Sequence, residues 1–224
     1  MMLLKINKKV LFYIFFFIFL TTLNNKFLLE FKFNKISEIN IHGLNQKENT
    51  QLLKKLNIFK NKNIFSLNKT ELKEYLDTNN LIESYTILKR YPSSIEIRIV
   101  KTNFLARVFK EGKTFYLGSN GKLIQSEYEK KELPNIFGDF NQKSFFELYK
   151  SVNESKFQLS KIKNLYFFKS GRWDIETYSG ILIKLPNDNF KEFLNLSLRL
   201  MEKKEFEGKK ILDLRQSNQV IING

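Results

Sequence analysis

The sequence Ile36-Ser37-Glu38-Ile39-Asn40-Ile41-His42-Gly43 opens the stretch that decides the fold. Isoleucines alternate there with polar neighbours, and this period of two is typical of a strand with one buried face. The stretch closes on Ser94-Ile95-Glu96-Ile97-Arg98-Ile99, which alternates in the same way. Two helix signals and one further strand signal lie between these ends, so the pattern predicts a β-α-α-β-β module.

The first helix of this module is predicted from its cap and its apolar face. Asn45 with Glu48 three residues later has the pattern of a capping box, and leucines follow at helical spacing. A second cap of the same kind precedes the second helix. Residues 57–63 between the helices read as a polar loop in which Ile58 and Phe59 are expected to be buried.

An uncharged apolar run precedes the module. Residues 1–9 contain three lysines and no acid, and an aromatic and aliphatic run follows over residues 10–20. A cleaved signal peptide and an uncleaved anchor share this order, but the small residues of a cleavage site are absent, which favours the anchor. We therefore expect a cytoplasmic stub over residues 1–9, a single transmembrane helix over residues 10–29 and the remaining chain outside the membrane. The residues assigned to the anchor are Val10, Phe12, Ile14, Phe16, Ile18 and Leu20.

The chain after residue 101 predicts a second unit that is rich in strands. Asn120-Gly121 between apolar segments indicates a hairpin, and three alternating segments within residues 162–185 predict an antiparallel meander. Residues 133–138 read as an irregular surface segment, and one or two strands are expected within residues 211–222. Two helices are also predicted, the first of them capped by Ser144.

The formal net charge of +15 permits two interpretations. Such an excess of lysine and arginine suits binding to nucleic acid or to anionic lipid. The lysines are nevertheless spread along the chain, and the abundance of Lys, Asn, Ile and Phe is the residue usage that an AT-rich genome imposes through its codons. We prefer the compositional interpretation and expect no nucleic-acid partner, with nucleic-acid binding kept as an alternative.

Composition also limits the chemistry that the chain can perform. It has no cysteine and a single histidine, His42, so thiolate metal sites and multi-histidine zinc sites are excluded. Asp174 and Glu176 could serve as paired carboxylates of a hydrolase, but their spacing is explained more simply by the solvated face of a strand. We assign no catalytic, metal-binding or cofactor-binding residue and expect neither a cofactor nor a small-molecule substrate.

The order of these parts resembles the bacterial cell-division family FtsQ, called DivIB in some bacteria, which combines a POTRA module with a β domain. Residues 63–68, Asn-Ile-Phe-Ser-Leu-Asn, resemble the family's loop between the two POTRA helices, and residues 88–97 resemble its hairpin with an aromatic residue and a proline. Leu133-Pro134 with Gly138 and Asp213-Leu214-Arg215 resemble two further motifs of its β domain. The residues that carry the POTRA resemblance are Ile41, Gly43, Asn63, Phe65, Arg90 and Pro92.

The resemblance implies an α+β fold: a single N-terminal transmembrane helix, a POTRA-type domain over residues 36–101 and a mixed β-rich domain with two helices over residues 102–224. It also implies a function. Such proteins are not enzymes; they are scaffolds of the division complex at the septum, anchored in the inner membrane with the N-terminus in the cytoplasm and the bulk of the chain in the periplasm. Their partners are small single-span proteins of the FtsB and FtsL type.

A partner segment is expected to pair with an exposed sheet edge near the end of the chain. The residues assigned to this contact are Asp213, Leu214, Arg215, Gln216, Val220 and Ile222. Gln216 departs from the tyrosine that the family commonly has after its Asp-Leu-Arg motif, and Lys101 and Phe104 depart from the family's acid and proline after the last POTRA strand. A different POTRA-containing envelope protein with a docking function is the alternative within the same fold.

Overall fold

The computed structural model of the chain describes residues 7–23, 35–125, 132–216 and 219–223. Its first element is helix α1 (Lys8–Leu23). No helix in these ranges has both the length and the apolar character that a membrane crossing requires. The last part of the predicted anchor, residues 24–29, lies outside the described residues.

The chain divides into two compact units. One consists of the residues up to Tyr75 together with Tyr85–Ile99, and the other consists of Leu76–Ser84 together with Val100–Gly224. The α+β class with a small module and a β-rich part is confirmed. The helix inventory differs from the prediction, because three short 3₁₀ turns were not expected: Asn57–Phe59, Leu159–Lys161 and Lys204–Phe206.

The predicted β-α-α-β-β order is present in the module around residues 36–100. Its elements are β1 (Glu38–His42), α2 (Gln46–Leu56), α3 (Lys69–Asp77), β2 (Ile82–Arg90) and β3 (Ser94–Lys101). They form a three-stranded sheet in the order β1-β3-β2, with β1 parallel to β3. Alternate residues of β1 and β3 are buried, as the period of two predicts.

The start of helix α2 confirms the predicted capping box. Asn45 Oδ1 accepts a hydrogen bond from the backbone N–H of Glu48 at 2.9 Å, and Glu48 Oε2 accepts one from the N–H of Asn45 at 3.1 Å. Two N–H groups that have no partner within the helix are thereby satisfied. Leu52 and Leu56 are buried, whereas Ile58, which was predicted to be buried, is 49% exposed beside the buried Phe59.

Gly43 ends the first strand where two backbone segments meet. Its φ is +106°, and a Cβ atom built there would lie 1.8 Å from the carbonyl oxygen of Ile99. Both the dihedral angle and the close approach require glycine. This residue therefore fixes how closely the chain after β1 passes the end of β3.

The second unit contains a nine-stranded mixed sheet and two helices. Its elements are β4 (Phe104–Lys110), β5 (Lys113–Gly118), β6 (Leu123–Ile124), β7 (Asn135–Phe137), α4 (Gln142–Glu154), β8 (Ile162–Phe167), β9 (Trp173–Thr177), β10 (Leu182–Lys184), α5 (Phe190–Met201), β11 (Ile211–Gln216) and β12 (Gln219–Asn223). The strand order is β12-β11-β10-β9-β8-β7-β4-β5-β6. The predicted hairpin and the antiparallel meander β8-β9-β10 are both present.

One face of this sheet packs against the two helices. A row of apolar residues in register crosses the central strands and joins a single core with side chains of α4 and α5: Val108, Ile136, Leu165, Ile175, Ile183 and Leu212. Burying one such side chain contributes roughly 1.5–3 kcal/mol. The alternate residues of the same strands lie on the opposite face of the sheet.

The segment predicted to be an irregular surface loop contains a central strand. Asn135–Phe137 forms β7, which pairs in parallel with both β4 and β8. Three residues are too few to show the alternation of apolar and polar residues by which a strand is predicted from sequence. Gly138 ends this strand at φ +98°, where an added Cβ would lie 2.2 Å from the carbonyl oxygen of Phe167.

The predicted cap of α4 is also wrong. Asn141, not Ser144, is the N-cap, and its Oδ1 accepts a hydrogen bond from the N–H of Ser144 at 2.7 Å. Ser144 lies within the first turn, and its Oγ accepts a hydrogen bond from the buried Trp173 Nε1 at 2.8 Å. The serine therefore satisfies a polar group of the core, which Trp173 could not otherwise bury without cost.

Candidate functional site

Strand β12 is the outer strand at one end of the nine-stranded sheet. It pairs antiparallel with β11, and no strand in the described part of the chain pairs with its other side. An outer strand presents backbone N–H and C=O groups that can pair with an added strand. This open edge is the candidate binding site.

The hydrogen-bonding pattern shows which backbone groups of β12 face outward. The N–H of Leu182 donates to the carbonyl of Lys210 at 2.7 Å in the parallel β10–β11 pair. By strand alternation, Ile211 and Asp213 then direct their backbone groups toward β12, where they oppose residues 223 and 221. The N–H and C=O groups of Val220 and of Ile222 are therefore directed away from β11.

The side chains of β12 form a partly apolar surface beside this edge. Val220 is 39% exposed and Ile221 is 40% exposed, whereas Ile222 packs against the core. Val220 and Ile221 point to opposite faces of the sheet, so a partner strand that pairs with β12 would meet an exposed apolar side chain of β12 on each face. Main-chain pairing would supply affinity and these side chains would supply specificity.

A row of charged residues leads to this edge across the face of the sheet that lies opposite the two helices. Asp174, Lys184 and Asp213 lie side by side on β9, β10 and β11, and Ile221 on β12 is next in register. Asp213 Oδ1 accepts a hydrogen bond from Arg215 Nε at 2.8 Å. This hydrogen bond from Arg215 is the main reason why the pKa of Asp213 lies below its ordinary value.

The pKa of Asp174, the other aspartate of the row, is shifted in the opposite direction. Asp174 is buried, and this desolvation raises its pKa although Arg172 Nε lies 3.1 Å from its Oδ1. Three cations, Arg172, Lys184 and Arg215, thus stand against two carboxylates. The excess positive charge suits an acidic partner segment that lies along the edge.

The structure brings most of the residues predicted for partner binding to this edge. Asp213, Arg215 and Gln216 lie on β11, and a register irregularity separates the Asp213 and Gln216 pairings with β12. Leu214 is buried in the core, so its side chain supports the strand and cannot contact a partner. Sequence reasoning missed Lys184, because only the strand register brings it beside Asp213, and it missed Arg172, which forms an ion pair with Asp174.

The predicted POTRA residues lie in the first unit, on its strands and in its loops. Ile41 is buried, and Asn63 Oδ1 accepts a hydrogen bond from the N–H of Phe65 at 2.8 Å. Arg90 Nε lies 2.8 Å from Glu96 Oε2, and Pro92 follows Tyr91 in the turn between β2 and β3. All of the assigned anchor residues lie on α1, and their side chains are exposed.

The carboxylates considered for a hydrolase are engaged by neighbouring side chains. Glu176 Oε2 accepts hydrogen bonds from Tyr166 Oη at 2.6 Å and from Asn164 Nδ2 at 2.8 Å. The bond from Tyr166, followed by that from Asn164, lowers the pKa of Glu176. Both carboxylates are therefore engaged in hydrogen bonds or an ion pair on the face of the sheet opposite the two helices. In the described ranges, no three Asp, Glu or His side chains lie close enough together to hold a metal ion.

Comparison with known proteins shows similarity along most of the chain. Residues 34–101 match the family described as POTRA domain, FtsQ-type, and residues 106–215 match the family described as Cell division protein FtsQ/DivIB, C-terminal. The cell division protein FtsQ of Rickettsia bellii is 29% identical over 193 residues, which cover 84% of this chain and 72% of that protein. The protein DivIB of Staphylococcus aureus is 29% identical over 98 residues, or 44% of this chain and 22% of that protein. The solved major extracytoplasmic domain of DivIB from Geobacillus stearothermophilus aligns with a TM-score of 0.35 and 16% identity over 45% of this chain and 92% of that domain.

Proposed function

The chain belongs to the FtsQ/DivIB family of cell-division proteins, and from that premise we propose that it is a membrane-anchored scaffold of the division complex. Residues 10–29 anchor it in the cytoplasmic membrane, residues 36–101 form the POTRA-type recruiting domain, and residues 102–224 form the domain that binds partners. The apolar run over residues 10–20, preceded by three lysines, supports the anchor and its orientation. The scaffold acts at the septum and performs no catalysis itself.

The partners in this proposal are division proteins of the FtsB and FtsL type, bound by strand addition to β12. The open edge at Val220 and Ile222 is the observation that carries the proposal, because it offers main-chain groups without a partner strand among the described residues. The adjoining cations, Arg172, Lys184 and Arg215, support an acidic partner segment. No nucleic acid is needed to explain them.

A matched pair of substitutions at Val220 tests strand addition. Val220→Pro removes an outward N–H but leaves the ladder to β11 intact, whereas Val220→Ala keeps the N–H and removes the exposed side chain. We expect the proline variant to bind the periplasmic parts of FtsB and FtsL about tenfold more weakly, and the alanine variant to change affinity by about threefold or less. Titration of the full chain in detergent with the labelled partner segments measures both.

The proposal fails if the unmodified chain, folded by circular dichroism, shows no association with these segments. Equal loss of affinity in both variants would instead show that the side chain, and not the main chain, makes the contact. A proline variant that binds as tightly as the unmodified chain would place the partner elsewhere.

A further inference from the structure

Two aromatic rings lie stacked and exposed on the first unit. Phe65, in the loop before α3, and Tyr91, in the turn between β2 and β3, have ring centroids 4.9 Å apart at an interplanar angle of 20°. Phe65 is 59% exposed and Tyr91 is 60% exposed, which makes them the most exposed aromatic side chains described outside α1. Exposed apolar patches rimmed by polar residues are a feature of surfaces that bind proteins or membranes.

Hydrogen bonds from neighbouring side chains hold the backbone around Phe65. Lys89 Nζ donates to the carbonyl of Leu67 at 3.1 Å and to that of Phe65 at 3.5 Å. The N–H of Phe65 is bound by Asn63 Oδ1. The loop that carries Phe65 is therefore held before a ligand binds, and Tyr91 stacks on its ring, which lowers the entropic cost of docking.

The chain from α1 enters the unit between the two loops that carry these rings. The N–H of Ile36 donates to the carbonyl of Lys62 at 2.9 Å, and the N–H of Ser37 donates to the carbonyl of Ser93 at 2.8 Å. Lys35 forms an isolated bridge with Asn63. Only residues 24–34 separate α1 from this entry point, so their reach is at most about 40 Å.

Basic side chains surround the same entry point. Lys35 and Lys60 are exposed there, on the entering segment and on the loop before Phe65. Lys62 lies beside them, although its Nζ is 2.7 Å from Glu71 Oε1. Aromatic rings at the boundary of headgroups and acyl chains, with lysines among the phosphates, are the combination by which proteins lie on an anionic bilayer.

We propose that this end of the first unit, the aromatic tip formed by Phe65, Tyr91 and the adjoining lysines, docks on the surface of an anionic lipid bilayer. Docking inserts the two rings at the headgroup boundary and sets Lys35 and Lys60 against lipid phosphates. It rests on the proposed membrane anchor, which brings the tip close to the bilayer. The tip then gives the recruiting domain a second point of attachment to the membrane, which fixes its orientation.

The absence of cysteine from the chain makes a direct test possible. Ser66→Cys, beside the tip, and Gln46→Cys, beyond the opposite end of β1, provide matched exposed sites in the same unit for an environment-sensitive fluorophore. The labelled full chain is reconstituted into vesicles of phosphatidylglycerol and phosphatidylcholine in equal parts. We expect quenching by lipids brominated near the headgroup to be about threefold stronger at position 66 than at position 46.

The double variant Phe65→Ser with Tyr91→Ser should bring the quenching at position 66 down to that at position 46. Phe109→Ser, which removes an aromatic side chain of similar exposure from the second unit, should leave it unchanged. Equal quenching at both labelled sites in chains that float with the vesicles overturns docking and leaves the anchor standing. A chain that does not float with vesicles after carbonate treatment overturns the anchor, and docking with it.

Discussion

The two edges of the nine-stranded sheet differ in how they end. At one end β12 presents five residues and no strand covers it among the described residues. At the other end β6 has two residues, and the segment around residues 77–83 of the same unit covers it. An edge that a protein needs for binding stays open, whereas an edge without such a use is shortened and covered so that it cannot aggregate.

Side-chain amides close the β6 edge. Asn80 Nδ2 donates to the carbonyl of Leu123 at 2.9 Å, and Asn120 Nδ2 donates to the carbonyls of Asn80 and Ile82, each at 2.9 Å. Asn120 Oδ1 also accepts a hydrogen bond from the N–H of Lys122 at 3.0 Å. One asparagine thus joins the turn before β6 to the covering segment.

Removal of this amide should have the largest effect on stability. Asn120→Ala loses three hydrogen bonds at a half-buried site, so we expect the free energy of unfolding to fall by roughly 2–4 kcal/mol. Asn120→Asp should cost more, because its carboxylate would face two carbonyl oxygens. Urea unfolding followed through Trp173, the single tryptophan and a core residue of this unit, measures both. An aspartate variant as stable as the unmodified chain would show that the amide donors are not needed to close this edge.

The strands next to the open edge should instead respond to pH through Asp213 on β11 and Asp174 on β9. The folded-state pKa of Asp213 lies below its ordinary value of 3.8, so its contribution to stability is present at neutral pH and is lost as the pH falls toward that folded-state pKa. The folded-state pKa of Asp174 is raised by burial, so protonated Asp174 favours the folded state. Its contribution to stability is present in acid, below the ordinary value of 3.8, and is lost as the pH rises through the folded-state pKa. Asp213→Asn should therefore cost about 1 kcal/mol at neutral pH, whereas Asp174→Asn should cost little or stabilise.

Urea unfolding of the two asparagine variants at about pH 7 and about pH 3 separates these effects. The difference between Asp213→Asn and the unmodified chain should shrink in acid. Equal costs for the two variants at neutral pH would mean that the ion pair with Arg172 outweighs the desolvation of Asp174.

The smallest effect is expected from an exposed bond at the closed edge. Lys122 Nζ donates to the carbonyl of Asp77 at 2.7 Å, and this contact lies at the surface. Lys122→Ala should change the free energy of unfolding by about 0.5 kcal/mol or less, since solvent competes for the ammonium group. Lys113→Ala, at the exposed start of β5, is the matched control. A loss above that of the control by more than about 1 kcal/mol would place Lys122 with Asn120 in the closing network.

The sequence predicted correctly those helices and strands whose ends are set by a cap or a turn in the adjacent residues. Asn45 with Glu48 gave the start of α2, and Asn120-Gly121 gave the hairpin. The same asparagine also closes the β6 edge by binding residues about forty positions earlier in the chain, and no local pattern records such a bond. Turn chemistry is a property of adjacent residues, whereas edge closure depends on the tertiary fold.

The strands of the candidate site could be predicted from local patterns, but the register between them could not. Alternation placed strands near Asp213 and Val220, but the outward direction of the backbone groups depends on the register with β10 and β11. Lys184 joins the charged row only through that register. Strand β7 was missed because the parallel pairing on both of its sides, and not its own composition, makes it a strand.

Six of the glycines that the structure describes fall into two groups with different tolerance to mutation. Gly112, Gly171, Gly180 and Gly208 have positive φ but no atom within 4 Å of an added Cβ. Asparagine adopts such angles readily, so these turns can lose their glycine in a lineage rich in asparagine. At Gly43 and Gly138 an added Cβ would overlap a backbone carbonyl, and no change of codon escapes that collision. At these two positions the turn therefore depends on glycine both for its backbone angle and for the space that it leaves to a neighbouring strand.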